Sequence, residues 1–192
     1  MLGYRYLWVA FAILALCGCS ASTTVRSNAA SSVQKTYGNL LSLSLMGTLE
    51  SDDEGRGFHA ACSKSLSKYY ENHGVPGAVI ALNDVSLNPQ RDIDNAIEQS
   101  DAQVVLVVSP TSVEYGYDIP DYRAIQVDAS LIDPHSGERV WRAQITLRPN
   151  TGIYWRGDKQ ETCDRLVTDT FEQLHADGFR FSAQMPARKN AT

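Results

Sequence analysis

The 192-residue chain carries 17 Lys and Arg against 22 Asp and Glu, a formal net charge of −5. A mildly acidic protein lacks the basic stripe that nucleic-acid binding calls for, and its net charge offers no attraction to an anionic lipid surface. With a leader and tails set aside, about 145 residues remain, a length suited to one domain with a single core.

At the amino terminus, Arg5 and the α-amino group make a weakly basic start, and Leu7 to Leu16 is an uninterrupted apolar segment of ten residues. Ten residues cannot cross a bilayer, which needs about 20. The stretch reads as an export signal. Its end, Leu16-Cys17-Gly18-Cys19, resembles the lipobox of bacterial lipoproteins, with Leu three positions before the modified cysteine and a small residue directly before it. Cys19 fits that pattern. Cys17 fits poorly, because the bulky Leu16 would occupy the place of the small residue. Cys17 itself departs from the pattern, standing where Ala or Ser is usual.

The resemblance implies cleavage after residue 18 and acylation of Cys19, with each buried CH₂ adding about 0.8 kcal/mol to membrane attachment. Ser20, rather than Asp, follows Cys19, which is similar to the outer-membrane sorting pattern and implies the periplasmic side of that membrane. An ordinary secretory signal is the other reading of the same stretch.

Residues 20–36 are dominated by Ser, Thr and Ala without a hydrophobic period, which predicts that 19–36 form a lipidated cysteine and a flexible tether. Such a tether would reach about 23 Å. The expected periplasmic domain then runs from 37 to 181, followed by a loose tail over 182–192. "NLLSLSLMGTL" alternates as a first strand. Phe58, Cys62, Leu66 and Tyr69 recur at helical spacing until Gly74 stops the helix. "GAVIALNDVSL" reads as a strand, and Asn88-Pro89 open a short helix through Ile93 and Ile97.

"AQVVLVVSP" is the near-continuous apolar run expected of a strand covered on both faces. Ile125, Val127, Ala129 and Leu131 alternate with polar residues, and so do Trp141, Ala143, Ile145 and Leu147. The turn "DPHSG" between them makes this a hairpin. Cys163, Val167, Thr170, Phe171 and Leu174 form a last helix that stops at Gly178. The predicted order is β-α-β-α-β-β-β-α, an α+β fold with helices on a mostly antiparallel sheet.

This order, the lipobox-like segment and "VDASLIDPHSGERVWRAQ" resemble a group of small periplasmic domains. The group contains the curli-secretion lipoprotein, the amino-terminal domain of TolB and lipoproteins that activate penicillin-binding proteins. The hairpin of that group matches Asp133, Gly137 and Trp141 here. The resemblance implies the fold over residues 37–181; it does not carry function. The long hydrophobic or amphipathic insertions that a curli-type pore would use are not seen in the sequence.

For chemistry the sequence offers little. Ser65 and Lys68 have the S-x-x-K spacing of penicillin-recognising serine enzymes, but the companion S-D-N and K-T-G motifs are missing and both residues fall on the polar side of their predicted helix. His59, His73, His135 and His175 lack zinc-motif spacing, and "SDDE" at 51–54 lacks a calcium-loop pattern. Neither a metal nor a cofactor is expected. Cys62 and Cys163 fall on apolar helix faces in a compartment that favours oxidation, which predicts a structural disulfide, with two buried thiols as the alternative. A thioredoxin-like role would call for C-x-x-C.

Tyr115, Tyr117 and Tyr122 cluster around a Gly/Pro turn, either as strand-edge packing or as a partner-docking tip. These readings lead to a non-enzymatic, lipid-anchored envelope module that docks on an envelope protein or assembly. The alternative is an envelope hydrolase or small-ligand carrier whose site is assembled from distant residues. If Cys19 is the acylated residue, Cys19→Ala abolishes metabolic lipid labelling while Cys17→Ala leaves it intact; equal labelling of wild type and Cys19→Ala overturns the assignment.

Overall fold

A computed structural model describes residues 22–29, 34–45, 53–82, 89–115, 122–148 and 158–182. The chain forms an α+β domain with eight strands and three helices among these residues. The strands are β1 (Ser22–Ala29), β2 (Lys35–Tyr37), β3 (Leu40–Ser44), β4 (Gly77–Ala81), β5 (Val104–Tyr115), β6 (Tyr122–Ile132), β7 (Arg139–Arg148) and β8 (Phe179–Phe181). The helices are α1 (Asp53–His73), α2 (Pro89–Ser100) and α3 (Lys159–Ala176). Among the described residues, no helix is long and apolar enough to cross a membrane.

Six strands make one mixed sheet in the order β1-β7-β6-β5-β3-β4. The pairings from β1 to β5 are antiparallel, and β3 lies parallel to both β5 and β4. The chain leaves β3, crosses through α1 to β4, then returns through α2 to β5 on the far side of β3. Crossovers between parallel strands are right-handed, so two that run in opposite directions must place their helices on opposite faces. The core divides accordingly. Leu40, Val104, Leu106, Ile125, Val127, Ile145 and Trp141 face α1 and α3 in the larger cluster, whereas Leu41, Leu43 and Val105 meet Ala96, Ile93 and Ile97 of α2 in a smaller one.

Every residue of β3 is therefore buried, including Ser42 and Ser44. The Ser42 hydroxyl lies 2.6 Å from the Tyr70 hydroxyl, so the small side chain leaves room for an aromatic polar tip beneath it. Burial raises the Tyr70 phenol well above its ordinary value, keeping it neutral and able to hydrogen-bond there.

Two local features allow the parallel half of the sheet to form. Gly77 opens β4 at φ +149°, where a Cβ would stand 1.8 Å from the Leu40 carbonyl oxygen, so only glycine lets β4 approach β3. Pro110 sits inside β5, yet β3 accompanies β5 only as far as Val108. Its missing donor falls beyond that pairing, beside a register shift between Pro110 and Ser112.

The structure corrects the sequence reading at the start of the domain. Residues 22–29, expected within a flexible tether, are the edge strand β1, paired along its whole length with β7. Thr23, Val25, Ser27 and Ala29 turn toward the helices while the alternate residues face outward, and Gln173 of α3 donates to the Ser27 hydroxyl at 3.0 Å. Residues 35–37 are likewise a strand, β2, which pairs in parallel with β8. Tyr37 stacks between Phe179 and Phe181 there. Residues 1–21 and 183–192, which hold the signal, Cys19 and most of the expected tail, lie outside the described residues.

If β1 is a component of the fold, removing residues 20–29 lowers the unfolding free energy by more than about 1 kcal/mol, because it uncovers the β7 edge and part of the larger core. A tether would be removed at no measurable cost, and chemical denaturation of the two proteins distinguishes the outcomes.

Candidate functional site

Two regions carry polar chemistry: the seam between α1 and α3, and the sheet face that no described helix covers.

Cys62 of α1 and Cys163 of α3 are joined by a disulfide, with Cα atoms 4.8 Å apart and exposures of 2% and 0%. Beside it lies the Ser65 cluster. Ser65 is buried at 3% exposure, so it faces α3 and not solvent, contrary to the placement expected from the helical period. Its hydroxyl lies 3.0 Å from the Ala61 carbonyl and 2.6 Å from Asp164 Oδ1. A hydroxyl has one proton, and the shorter, charge-assisted contact is the stronger claimant. The Gln160 side-chain amide donates to Ser65 Oγ at 2.7 Å and to Asp164 Oδ1 at 3.0 Å, while Lys68 Nζ lies 3.5 Å from Asp164 Oδ2. The donated Ser65 hydrogen bond, followed by Gln160 and the Lys68 charge, holds the Asp164 carboxyl below the usual carboxylate range.

Both members of the S-x-x-K pair thus converge on Asp164. A serine nucleophile needs a base to take its proton, and here the proton is directed at a carboxylate already engaged by an amide and an ammonium. A cavity of about 180 Å³ adjoins the seam, and Asn72, His73 and Thr168 line it together with members of the cluster. His73 stacks on Tyr69 with ring centroids 4.0 Å apart and contacts the Tyr69 carbonyl through Nδ1 at 3.0 Å.

The other histidines are dispersed. His135 is in the β6–β7 turn, and His59 Nδ1 is buried without a hydrogen-bond partner among the described residues. Burial, with Arg180 and His73 nearby, lowers the His175 imidazole from its usual value. Among the described residues, no group of three or more His, Cys, Asp or Glu is placed to hold a metal ion.

The hairpin residues singled out by resemblance have structural roles. Asp133 Oδ1 accepts from the His135 and Ser136 amides at 2.8 and 3.3 Å, which lowers its carboxyl. Gly137 takes φ +70° in the turn. Trp141 is buried and donates its indole N–H to Asp177 Oδ2 at 2.7 Å, fastening β7 to the end of α3. Tyr115 and Tyr122 are backbone partners at the end of the β5–β6 hairpin. Tyr117 and the side chains of Tyr115 and Tyr122 lie outside the described residues, as does Cys19.

The second region has almost no sequence signal, because β1 is built mainly of Ser, Thr, Arg and Asn without a hydrophobic period. Since α2 covers only the β4-β3-β5 half of its face, the outer side of β6, β7 and β1 is left as a polar ladder. Its cross-strand rows are Ser130–Arg142–Asn28, Asp128–Gln144–Arg26 and Gln126–Thr146–Thr24, closed by Arg148–Ser22. A depression of about 370 Å³ runs over the last three. Arg142 is ion-paired with Asp128. Among the described residues, Arg26 and Arg148 have no hydrogen-bond or ion-pair partner.

No family model matches the sequence, and no curated protein matches it. Solved structures share part of its backbone arrangement. The PelC dodecamer of Paraburkholderia phytofirmans is 17% identical, with 83% of this chain and 99% of that one aligned at a TM-score of 0.47. A lipoprotein of Neisseria meningitidis is 14% identical over 72% of this chain and 99% of its own, at 0.38. A DUF330 protein of Xanthomonas campestris is 10% identical over 78% and 90%, at 0.40. Likenesses of this degree carry no functional argument.

The seam makes two predictions. Cys62→Ser combined with Cys163→Ser destabilises the domain by about 2 to 5 kcal/mol in urea unfolding. Because the folded Asp164 carboxyl is depressed, its contribution is present above the unfolded carboxylate value of about 3.9 and is lost as pH falls through the folded value. Asp164→Asn therefore flattens the acid limb of the stability profile, whereas an unchanged limb would show that Asp164 does not contribute to it.

Proposed function

We propose that this chain is a non-catalytic binding module of the bacterial cell envelope, held to the outer membrane by acyl chains on Cys19, that docks on an envelope component through the open face of β6, β7 and β1. The polar ladder, with its two arginines that have no partner among the described residues, is the observation that carries this reading. A half-face that no described helix covers, in a folded, disulfide-clamped domain, is a preorganised surface, and residues on rigid strands keep their spacing during binding. The lipobox-like segment and the Cys62–Cys163 bridge support an exported setting, since disulfides persist in oxidising compartments. The engagement of Ser65 and Lys68 by Asp164 supports a non-enzymatic role. The resemblance to the curli-secretion, TolB and penicillin-binding-protein-activator group agrees with an envelope role without naming a ligand.

A second reading places a protein partner on the β5–β6 tip. The register of Tyr115 opposite Tyr122 favours it, because it brings two of the three tyrosines to one hairpin end.

Photo-crosslinking in intact envelopes separates the alternatives. A crosslinker at Gln144 captures an envelope component that one at exposed Lys64 on the far side does not, and capture is lost with Cys19→Ala. Capture from position 117 alone transfers the role to the tip. Turnover of a murein or ester substrate that is abolished by Ser65→Ala overturns the non-catalytic reading.

A further inference from the structure

We infer that the open face binds an acidic oligosaccharide, a chain of hydroxyl-rich sugar rings carrying carboxylates at intervals; this rests on the reading of that face as the docking surface. Charge is the first argument. The protein as a whole is acidic, yet among the described residues of β6, β7 and β1 on this face the charged groups without an ion-pair partner are Arg26 and Arg148, since Asp128 is ion-paired with Arg142. A guanidinium presents a planar fork of donors that matches a carboxylate in two parallel hydrogen bonds, so each is a ready carboxylate subsite.

Spacing is the second. Arg26 is paired with Gln144 on β7, and Arg148 lies four residues further along that strand, which separates the two by about 13 Å. A ligand that touches both arginines and also the groups on the strands between them must be elongated. The third argument is what lies between them. Gln144, Thr146, Thr24 and Gln126 offer amide and hydroxyl groups that donate and accept, as sugar hydroxyls require.

The four rows contain no aromatic or aliphatic side chain, and so lack the anchors that dominate protein–protein hot spots. A flat grid of donors and acceptors with a basic group toward each end of the depression fits a polar, elongated and anionic ligand better than a protein surface. The depression crosses all three strands, so the ligand would lie along β7, in contact with β1 on one side and β6 on the other.

The test is calorimetric titration of the mature chain with tetragalacturonate, maltotetraose and inorganic tripolyphosphate at low ionic strength. The expected result is binding of tetragalacturonate, at least tenfold weaker binding in Arg26→Ala and in Arg148→Ala, several-fold weaker binding in Gln144→Ala, and no binding of maltotetraose. Both arginines are exposed on the strands, so thermal melting should be unchanged in these variants, which separates lost recognition from lost folding. Equal binding of maltotetraose would overturn the carboxylate subsites. Tripolyphosphate binding as tight as tetragalacturonate, with Gln144→Ala silent, would reduce the face to a non-specific charge. Absence of uronate binding while the Gln144 crosslinker still captures an envelope component would sink this inference and leave the docking reading standing; loss of both removes the two together.

Discussion

The architecture depends on β3, a five-residue strand buried on both faces with parallel neighbours on both sides. Its sequence, Leu-Leu-Ser-Leu-Ser, supplies apolar contact to both layers and small hydroxyl side chains where the larger core is crowded. Because the chain leaves β3 through α1 in one direction and returns past it through α2 in the other, the handedness of crossover connections divides the helices between the two faces. The long α1 and α3 then share one face, and the short α2 covers only half of the other. The polar half-face that no described helix covers follows from that imbalance.

The α1–α3 layer is held by two kinds of contact that reinforce one another. The disulfide closes a separation of 101 residues, and the Ser65–Asp164–Gln160–Lys68 cluster satisfies polar groups next to it. An aromatic series extends this layer toward the small second sheet: Tyr69 stacks on Phe171 at 4.3 Å, and Phe171 meets Phe181 edge-on at 5.8 Å. Polar residues that look catalytic by spacing are here components of a helix–helix joint. The exposed arginines Arg26 and Arg148 are on the opposite side of the sheet, where no described residue pairs with them.

Charge shows the same separation of scales. The net charge of the chain is negative and speaks against anionic partners in general, but net charge is a sum over all surfaces. The sheet aligns side chains from three strands that are distant in sequence, so Arg26 and Arg148 come to lie on one face although 121 residues lie between them. The local alignment of side chains, rather than the total, sets the charge of that face.

The sequence alone determined the elements whose period is carried by strongly apolar residues. The run Val104 to Val108, the alternation of Ile125 to Leu131 and of Trp141 to Leu147, and the helical spacing of Cys62 and Cys163 each expose a buried face through local composition. The cysteines were legible as a pair because both lie on such faces. Tertiary structure alone decided β1, in which Val25 is the one strong apolar residue among Ser, Thr, Arg and Asn, so its alternation has almost no hydrophobic signal. That strand is ordered by hydrogen bonds to β7, a long-range pairing that no local window contains. The same holds for Ser65, whose burial depends on α3 lying across it, and for the polar ladder, which exists only once three separate strands are in register.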